Sequence, residues 1–555
     1  MVSTTSFASD KYDDEFDLGK GRYGDVLHVH YPPDPVNVRN GNFYLPVQDY
    51  YLSCFGFPLE IYRSYNSVSI RNGPFGKGWT FNYDIQIVVD EEAGLRIVES
   101  DGFVNEYTSV EMENESLSDV ILKMVAAKKK EDVKYLGKPE GKGEVFYKDY
   151  EKKLKTDEAF LKRQRDRYLP TQSKISKSGK YVSHKRGTTH LEKTLSGFIR
   201  TNETGRKEEY DAKGLLLRLE DRNNNELTFN YNPESRLEQI SDSCGQSFQI
   251  VYGPAGKIRK IKDSLQRELK YDYDADDRLI VATALDGEKT NFGYDKLHRM
   301  TSITFADGTK TEIQYDPKTG YVTKQTGPGT KITNYQYGKE GEKVWATVED
   351  NEGGKSRYEY IDSENKIIFM DKSGKKTITT VTACCGKPLS IKNDKGVGEE
   401  FRYDEKGNLI SKTNPQRQTT TFSYEPRFNL PSEIKAHDGS FMRFTYDNKG
   451  NLSFSRGSGG EYVKLEYERH GKIQTMTDHH DTLVRFDYNA SGKPILIEKA
   501  AKKARVGSIR VAYDKTGEIL KVEYDPQKPE VVQEIKDTLN SFLRLLKPSG
   551  IDFEI

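Results

Sequence analysis

Tyrosines recur along the chain at a fixed interval and organise its hydrophobic positions. From residue 210 to residue 315 they are spaced 21 residues apart, and the series resumes at 403 after Thr382 occupies a tyrosine position. A second large apolar residue stands two positions before most of them, a spacing typical of one face of a β-strand. The repeat tyrosines are Tyr210, Tyr231, Tyr252, Tyr273, Tyr294, Tyr315, Tyr337, Tyr360, Tyr403, Tyr424, Tyr446, Tyr467, Tyr488 and Tyr513.

Each 21-residue unit is predicted to form one β-hairpin. An Asp commonly follows the tyrosine, and its carboxylate can accept hydrogen bonds from backbone N–H groups further along the turn. A glycine then allows the positive φ that a short hairpin loop requires, so we expect positive φ at Gly214, Gly407 and Gly450. An apolar residue restarts the second strand, and another turn, often Asp-Gly, returns the chain.

These hairpins are expected to stack side by side into one continuous sheet. A lone hairpin buries too little surface to be stable in water, whereas repeated units share their faces with their neighbours. Strand twist accumulates along an open sheet, so a sheet of this length must curl. The predicted fold is mainly β: a spiralling antiparallel shell of about fifteen hairpin units over residues 205–525.

The repeat resembles the YD repeat of Rhs proteins, teneurins and the shell components of insecticidal toxin complexes. The unit Tyr-Asp-x-x-Gly-x-Leu, followed by Asp-x-x-Gly and Phe-x-Tyr, recurs over residues 205–525. Upstream, residues 58–67, residues 73–79 and Asp101-Gly102 look like the domain that precedes bacterial YD repeats. The resemblance implies a β-shell that wraps around a carboxy-terminal toxin or projects from a cell surface as a binding body.

The chain departs from the complete Rhs pattern at its carboxy-terminal end. Complete shells of the family end with DPxG-type motifs that support self-cleavage before a variable effector. Here Asp316-Pro317 lies on the repeat lattice and is interpreted as a repeat turn, and Asp525-Pro526 lacks the glycine. Only 30 residues follow Asp525, so we expect neither self-cleavage nor toxin cargo in this chain.

Five segments are predicted. The second of them, rich in aromatic residues, is expected to close one end of the shell. The segments are a polar tail at 1–24, a β-rich amino-terminal domain at 25–110, a charged helical or linker insertion at 111–204, the YD repeats at 205–525 and a carboxy-terminal amphipathic helix at 526–555.

Two segments show helical spacing of apolar residues. In the insertion the spaced residues are Leu117, Val120, Ile121, Met124 and Val125, and Thr156 is expected to cap a second helix that contains Phe160 and Leu161. Near the carboxy terminus they are Val532, Ile535, Leu539, Phe542, Leu543 and Leu546. This last helix is interpreted as docking on, or plugging, the open end of the shell; the alternative is a helix that binds a partner.

Basic residues are concentrated in the insertion between 162 and 193. This segment contains ten basic residues and only two acidic ones, Asp166 and Glu192. The excess of positive charge predicts contact with a polyanion such as a surface glycan. The alternative interpretation is a solvated linker. The ten are Lys162, Arg163, Arg165, Arg167, Lys174, Lys177, Lys180, Lys185, Arg186 and Lys193.

Composition narrows the protein class. Hydrophobic residues make up 34% of the chain, and leaving out the 35 Tyr and adding the 46 Gly gives roughly 36%. Typical globular proteins counted in this second way have roughly 45–50%, and a thin core suits a curved sheet with much surface. Lys plus Arg and Asp plus Glu number 86 each, which excludes the basic balance of a dedicated nucleic-acid binder. Mean hydropathy is −0.80 and no stretch is apolar enough to suggest a membrane span.

The sequence offers little that indicates catalysis. Cys54, Cys244, Cys384 and Cys385 are too few for a disulfide scaffold and lack zinc-site spacing; whether Cys384 and Cys385 are bonded stays open. The cluster at 478–481, Asp-His-His-Asp, is interpreted as a polar turn. With no phosphate loop, nucleophile elbow or zinc-protease helix, we expect no enzymatic activity, no cofactor and no metal.

Three functional hypotheses follow. The favoured one is a non-catalytic shell of a bacterial secreted or cell-surface protein. The alternatives are a glycan-binding adhesin and the delivery shell of a polymorphic toxin whose effector is absent from the chain. Expected partners are a cell-surface glycan or other polyanion, or a separate effector or secretion-system protein. The expected location is secreted or cell-surface, or else cytoplasmic before delivery by a secretion system.

Overall fold

A computed structural model describes most of the chain. The described residues are 35–90, 94–100, 103–110, 117–168, 176, 178–183, 188–382, 386–502, 504–528 and 530–550. The polar tail predicted at 1–24 lies outside them, as do Cys384 and Cys385.

The amino-terminal domain carries a small sheet of its own. Four of its strands pair in the order β1-β2-β3-β6, and β4 and β5 form a two-stranded ribbon. The strands are β1 Val36–Asn37, β2 Asn42–Leu52, β3 Leu59–Asn66, β4 Asn72–Gly73, β5 Gly76–Lys77 and β6 Trp79–Phe81.

The rest of the described β-structure is one continuous antiparallel sheet of 36 strands. It begins with β7 Gln86–Asp90, β8 Gly94–Val98, β9 Val104–Ser109, β10 Lys180–Ser183, β11 Thr189–Lys193, β12 Gly197–Asn202, β13 Lys207–Asp211, β14 Leu216–Glu220, β15 Glu226–Tyr231, β16 Leu237–Asp242, β17 Ser247–Tyr252 and β18 Ile258–Asp263. It continues with β19 Glu268–Tyr273, β20 Leu279–Thr283, β21 Lys289–Tyr294, β22 Met300–Thr304, β23 Lys310–Tyr315, β24 Val322–Thr326, β25 Ile332–Glu340, β26 Lys343–Asp350, β27 Lys355–Ile361, β28 Lys366–Met370, β29 Lys376–Val381 and β30 Pro388–Asn393. It ends with β31 Gly398–Tyr403, β32 Leu409–Thr413, β33 Thr419–Glu425, β34 Leu430–Lys435, β35 Phe441–Tyr446, β36 Leu452–Gly457, β37 Tyr462–Tyr467, β38 Ile473–Asp478, β39 Thr482–Tyr488, β40 Pro494–Ala501, β41 Ala504–Tyr513 and β42 Ile519–Asp525.

The sheet begins earlier than the tyrosine repeat indicates. Strands β7 to β9 lie within the predicted amino-terminal domain, and β10 to β12 lie within the predicted insertion, yet all six belong to the large sheet. Strand β9 pairs directly with β10, so the helices between them leave the sheet and return to the same place. These six strands lack the repeat tyrosine, which is why the sequence pattern did not reveal them.

Most repeat tyrosines sit at an irregularity in strand pairing. The register shifts by one residue between Asn230 and Tyr231, and the same shift recurs at later repeat tyrosines. An extra residue in one strand is a β-bulge, which bends the strand and increases its local twist. Because the bulge returns unit after unit, the bending accumulates and the sheet curls.

The tyrosine hydroxyl links each hairpin to the preceding one. In ten units it donates to the backbone carbonyl oxygen 15 residues upstream, at 2.6 to 2.9 Å, from Tyr231 with Leu216 to Tyr488 with Ile473. Burial raises the pKa of nine of these tyrosines, that of Tyr424 to about 12, so their hydroxyls keep the proton at neutral pH. Tyr210, the first of the series, donates instead to Glu208 Oε2 at 2.5 Å.

The turns after the tyrosines have the predicted geometry. Gly214, Gly407 and Gly450 hold φ of +83°, +81° and +84°. At Asp447 the Oδ1 atom accepts hydrogen bonds from the backbone N–H groups of residues 449 and 451, at 2.8 Å each. The prediction of a turn with aspartate and left-handed glycine is therefore confirmed.

The ribbon of strands makes a second revolution that stacks on the first. Asparagine side chains form most of the hydrogen bonds between the two revolutions, along a line that we call the seam. The bonds are from Asn429 Nδ2 to Glu203 Oε2 at 3.1 Å, between Asn451 and Asn223 at 3.0 and 3.2 Å, and from Asn225 Nδ2 to the His470 carbonyl at 2.8 Å. The bonded residues are 226 to 245 positions apart, so one revolution takes about that length of chain.

The amino-terminal domain lies on the concave face of the first revolution. Its aromatic rings pack against successive units of the sheet, and Arg39 forms an ion pair with Asp362 at 2.8 Å. A domain this small can reach the same face from residue 229 to residue 362 only from inside the curve. The ring pairs are Tyr83 with Phe229, Tyr50 with Phe248, Phe75 with Tyr271 and Trp79 with Phe292.

The same domain also covers the edge of the first revolution that faces away from the seam. The backbone N–H of Val322 donates to the Gly41 carbonyl at 2.9 Å, and that of Lys77 donates to the Asp277 carbonyl at 3.3 Å. Asp277 lies in a turn on the tyrosine side, and Val322 is the first residue of the strand that follows such a turn. The domain therefore contacts this edge of the sheet. That it closes one end of the shell stays a prediction.

The insertion forms three helices with a small core of their own. They are α1 Leu117–Leu136, α2 Glu144–Thr156 and α3 Glu158–Tyr168. The predicted helical spacing in α1 is confirmed, since Val120, Ile121 and Met124 are buried. The prediction that Thr156 caps the following helix is wrong. Thr156 ends α2, and Asp157 provides the cap, with Oδ1 accepting from the Phe160 N–H at 2.8 Å.

The carboxy-terminal helix α4, Glu530–Leu546, docks on the second revolution. It buries Ile535, Leu539 and Phe542 in one cluster with Phe444 and Met476 of the sheet. These sheet residues lie on the face that holds the amino-terminal domain in the first revolution. The predicted carboxy-terminal helix is confirmed, and it packs against the concave face of the sheet. That it plugs an open end of the shell stays a prediction.

Alanine substitutions at two turn glycines should separate backbone strain from packing at the seam. Gly439 and Gly450 have φ of +87° and +84°, but a Cβ at Gly439 meets nothing within 4 Å. A Cβ at Gly450 would lie 2.9 Å from Arg222 Nη1 and 3.0 Å from the Phe428 ring. We expect Gly439→Ala to cost about 1 kcal/mol and Gly450→Ala about 2 kcal/mol in chemical denaturation. Equal costs would contradict packing at the seam.

Removing one repeat hydroxyl should destabilise the sheet measurably. Tyr467→Phe keeps the ring but removes the donor to the Leu452 carbonyl, 2.8 Å away. The expected loss in free energy of unfolding is about 1 to 2 kcal/mol. Tyr462→Phe, on the same strand, is the control, and we expect a change within about 0.5 kcal/mol. Equal effects of the two substitutions would show that the inter-hairpin bond contributes nothing.

Candidate functional site

The concave face of the sheet divides into two covered regions and one open one. Strand register shows which residues share this face, because directly paired residues point to the same side. Tyr360, which lies under the Arg39 guanidinium of the amino-terminal domain, pairs with Ile367, and the series continues through Thr379 to Ile391. The concave face can thus be followed strand by strand from one covered region towards the other.

Between the covered regions lies a surface that we call the open strip: Ile391, Phe401, Lys412 and Phe422. Ile391 pairs with Glu399, Phe401 with Lys412, and Phe422 with Ile434. None of the four belongs to the hydrophobic cluster of the amino-terminal domain or to that of α4. Phe401 is buried, while Ile391 and Phe422 keep partial exposure.

The open strip combines apolar side chains with one ion pair. Lys412 Nζ lies 3.0 Å from Glu399 Oε1 on the same face, so neither charge faces the apolar groups alone. Such a surface can contact apolar side chains of another polypeptide without fixing their sequence, because hydrophobic contact is not directional. The sequence analysis missed this strip, since the tyrosine pattern does not tell which units the two ends of the chain cover.

One buried arginine fixes the amino-terminal domain to the repeats. Arg63 is 1% exposed, its Nε donates to Asp49 Oδ2 at 2.6 Å, and its guanidinium lies 4.3 Å from the Trp79 ring centroid. The Tyr271 hydroxyl of the sheet donates to the same Asp49 oxygen at 2.7 Å. Burial alone would lower the pKa of Arg63, but Asp49 outweighs it and holds that pKa above its usual value. The paired charge ties domain and shell together.

A second buried network holds the start of the sheet. Arg200 donates to Glu99 at 2.7 Å and to Glu208 at 3.1 Å, and Glu208 also accepts from Tyr210. Burial by itself raises the pKa of the Glu208 carboxyl, but Arg200 and Arg206 outweigh it and leave that pKa lowered. This network takes the place of the carbonyl bond that later repeat tyrosines make.

The structure spreads the predicted basic segment over separate elements. Arg167 on α3 forms an ion pair with Glu131 at 2.7 Å, whereas Lys180 and Lys193 lie on β10 and β11 and are exposed, as is Arg163 on α3. The side chains of Lys162 and Arg165 are outside the description, as are Lys174, Lys177, Lys185 and Arg186 altogether. Contact with a polyanion through this segment stays a prediction.

The turns that resembled chemical motifs have structural roles. Asp478 Oδ1 accepts from the backbone N–H groups of His480 and Thr482, at 2.9 and 2.8 Å, which confirms the polar turn. Asp316 Oδ1 accepts from the N–H groups of Lys318 and Thr319, as in an ordinary repeat turn. The interpretation of Asp316-Pro317 as a repeat turn is confirmed.

Two cysteines that the sequence left unpaired are joined. Cys54 and Cys244 form a disulfide between the amino-terminal domain and a turn of the first revolution, 190 residues apart in sequence. Asp242 lies beside them, and in the described part of the chain these three are the one cluster with metal-ligand geometry. Because the two sulfurs are bonded to each other, they offer no thiolate ligands in this state. Sequence spacing gave no sign of this bond, since the spiral brings the residues together.

Comparisons with known proteins agree with the repeat pattern. The model of the RHS Repeat family matches residues 273–310 and 403–440, and that of a domain of unknown function, DUF6531, matches residues 33–107. No curated protein matches the chain by sequence.

Among solved structures the chain is similar to parts of much larger toxin assemblies. A TcdB2-TccC3-TEV crystal structure is 11% identical, with a TM-score of 0.42, over 92% of this chain and 29% of that one. The Photorhabdus luminescens Tc holotoxin pore is 12% identical, with a TM-score of 0.33, over 83% and 30%. The chain thus spans less than a third of the length of these structures.

Within the ranges that the structure describes, no helix has the length and apolar character needed to cross a membrane. The chain is built from 21-residue hairpins that start with a bulged tyrosine and stack into one spiral sheet, behind an amino-terminal domain with its own family match. Together with the two repeat matches, these features show that residues 273–310 and 403–440 are Rhs repeats within one continuous sheet of similar units.

Proposed function

We propose that the chain is a non-catalytic shell that encloses or carries another polypeptide, as part of a toxin-delivery system. The observation that carries this proposal is the open strip on the concave face. The chain's own domain and helix cover the regions on either side of the open strip. The strip itself remains partly exposed and apolar, which suits contact with a guest chain.

The exposed last strand also supports a role within a larger assembly. Strand β42 is exposed along its whole length, and Ile519 and Leu520 are 62% and 68% exposed. Its neighbour β41 is the one strand with which it pairs among the described residues. An edge strand of this kind favours pairing with a further strand. We propose a separate effector or complex protein as the partner.

The disulfide supports a secreted or cell-surface location. Disulfides persist in oxidising compartments and are rare in the cytosol. The adhesin hypothesis and the glycan partner stay predictions, and no contact in the described structure adds to them.

Cysteine labelling can test whether the concave face is an enclosed wall. Phe422→Cys places a thiol on the open strip, and Thr421→Cys places one on the opposite, exposed face of the same strand. Both changes are made in a Cys384→Ser, Cys385→Ser background, with Cys54 and Cys244 left oxidised. A small maleimide should label both variants. A maleimide on a large polyethylene glycol should label the Thr421→Cys chain readily and the Phe422→Cys chain several times more slowly.

Two outcomes of this labelling would count against the proposal. Equal rates with the large reagent would mean that the strip faces open solvent. Failure of the small reagent at Phe422→Cys would mean that the strip is filled by the chain itself. Circular dichroism of both variants checks that the sheet is intact.

A further inference from the structure

The loop between β2 and β3 sits where the two revolutions meet. We call residues 53–57 the wedge. The Phe55 ring stacks on His470 of the second revolution, with centroids 4.5 Å apart and planes 21° apart. The Phe55 N–H points at the Cys244 sulfur of the first revolution, 3.4 Å away. The wedge therefore contacts both sides of the seam.

Glycines allow the wedge to fit closely. A Cβ at Gly56 would lie 2.4 Å from Asn225 Cβ, and a Cβ at Gly492 would lie 3.2 Å from the Cys54 carbonyl carbon and the Phe55 nitrogen. Gly492 belongs to the second revolution and Asn225 to the first. The wedge is thus packed against side chains of the first revolution and against the backbone of the second, and a displacement of the wedge would remove contacts from both.

Asparagine side chains form most of the remaining hydrogen bonds at the seam. Each such bond is worth only about 1 kcal/mol net, because water competes for the same groups. The Cys54–Cys244 disulfide joins the wedge covalently to the first revolution, and it closes a loop of 190 residues. Cross-links across long loops restrict the unfolded and opened states most. The position of the wedge at the seam therefore depends on this bond more than on any single polar contact.

A carboxylate beside the disulfide lacks a partner in the oxidised state. Asp242 Oδ1 accepts from the N–H groups of Cys244 and Gln246, at 2.9 and 2.8 Å. Oδ2 is buried and has no hydrogen-bond partner among the described residues. A carboxylate oxygen of Asp242 lies within 4.8 Å of both sulfurs. An unsatisfied buried acceptor is costly, and a thiol in place of the disulfide would supply a donor.

We propose that the Cys54–Cys244 pair is a redox-controlled latch that holds the seam closed when oxidised and releases the wedge when reduced. Reduction requires a dithiol. Its thiolate attacks the sulfur of Cys244, which keeps partial exposure, and Cys54 leaves as a thiolate that takes up a proton. The second thiol of the reagent then attacks the mixed disulfide and releases Cys244.

The balance of this exchange is two electrons and two protons transferred from the dithiol, which becomes a disulfide. The buried Cys54 thiol then has Asp242 as a hydrogen-bond acceptor. The second carboxylate oxygen of Asp242 thus has a hydrogen-bond donor only in the reduced state. Asp242 therefore favours reduction of the disulfide. A disulfide that is easily reduced suits a switch, whereas a purely structural disulfide resists reduction.

Hydrogen–deuterium exchange on the full chain tests the release. Mass spectrometry should first find Cys54 and Cys244 joined in the oxidised protein. With dithiothreitol, exchange in the seam turns at 468–472 and 489–493 should rise about tenfold or more, which corresponds to about 1.4 kcal/mol of opening free energy. The turn at 305–309, outside the seam, should not change.

Serine variants control for other effects of the reductant. The Cys54→Ser, Cys244→Ser chain should exchange rapidly at the seam with or without dithiothreitol. The Cys384→Ser, Cys385→Ser chain should respond like the unmodified protein. Unchanged exchange at the seam after full reduction, or a protein without the Cys54–Cys244 bond under oxidising conditions, would overturn the latch.

Asp242→Asn tests the role of the carboxylate separately. The asparagine oxygen can still accept hydrogen bonds from the N–H groups of the turn. The amide nitrogen, in place of the second carboxylate oxygen, cannot accept a hydrogen bond from a thiol. We expect the equilibrium with dithiothreitol to shift towards the disulfide, with an unchanged melting temperature for the oxidised chain. An unchanged redox equilibrium would show that Asp242 has no part in the switch. Easier reduction of the variant would show that Asp242 favours the disulfide instead.

Discussion

The hydrogen bond from a tyrosine hydroxyl to a carbonyl of the preceding hairpin recurs in ten of the repeat units. Hairpins of 21 residues bury little surface alone, and the chain contains fewer hydrophobic residues than an ordinary globular protein. The tyrosine supplies a ring for packing and a donor for a buried carbonyl in one side chain. It also occupies the bulge that bends the ribbon. Cohesion between units and curvature of the sheet thus come from the same residue.

Curvature in turn decides what the two ends of the chain do. A curled sheet has a concave face that must be covered or remain open. The amino-terminal domain covers it in the first revolution, through stacked aromatic rings and the buried Arg63–Asp49 pair. Helix α4 covers part of it in the second. Together these additions supply apolar partners that the repeat itself lacks, which reconciles a thin hydrophobic composition with an ordered fold.

The seam is the region in which the spiral could be most easily opened. Strands within one revolution are joined by ladders of backbone hydrogen bonds, whereas the two revolutions meet through side chains at their turns. The wedge and its disulfide lie at this weaker junction. For a shell that carries a guest, a junction that responds to the redox state of its surroundings would couple release to a change of compartment.

The sequence by itself determined the hairpin unit, because tyrosine, aspartate and glycine at fixed spacing specify local strands and turns. Gly407 and Gly450 hold the predicted positive φ, and Asp316-Pro317 is the predicted repeat turn. The same local rules were less complete in the insertion, where Asp157 rather than Thr156 caps α3. They gave no sign of β10 to β12, which lack the tyrosine.

Only the tertiary structure decided which distant residues meet. The length of one revolution depends on the twist and bend added by each bulge, and small angles accumulate over many strands before Cys54 reaches Cys244 or Phe55 reaches His470. The open strip follows from the same sum, since Ile391 and Phe422 are uncovered only because the domain ends before them and the helix begins after them. Local sequence specifies the geometry of each hairpin. The contacts between distant hairpins depend on the twist and bend accumulated over all the strands between them.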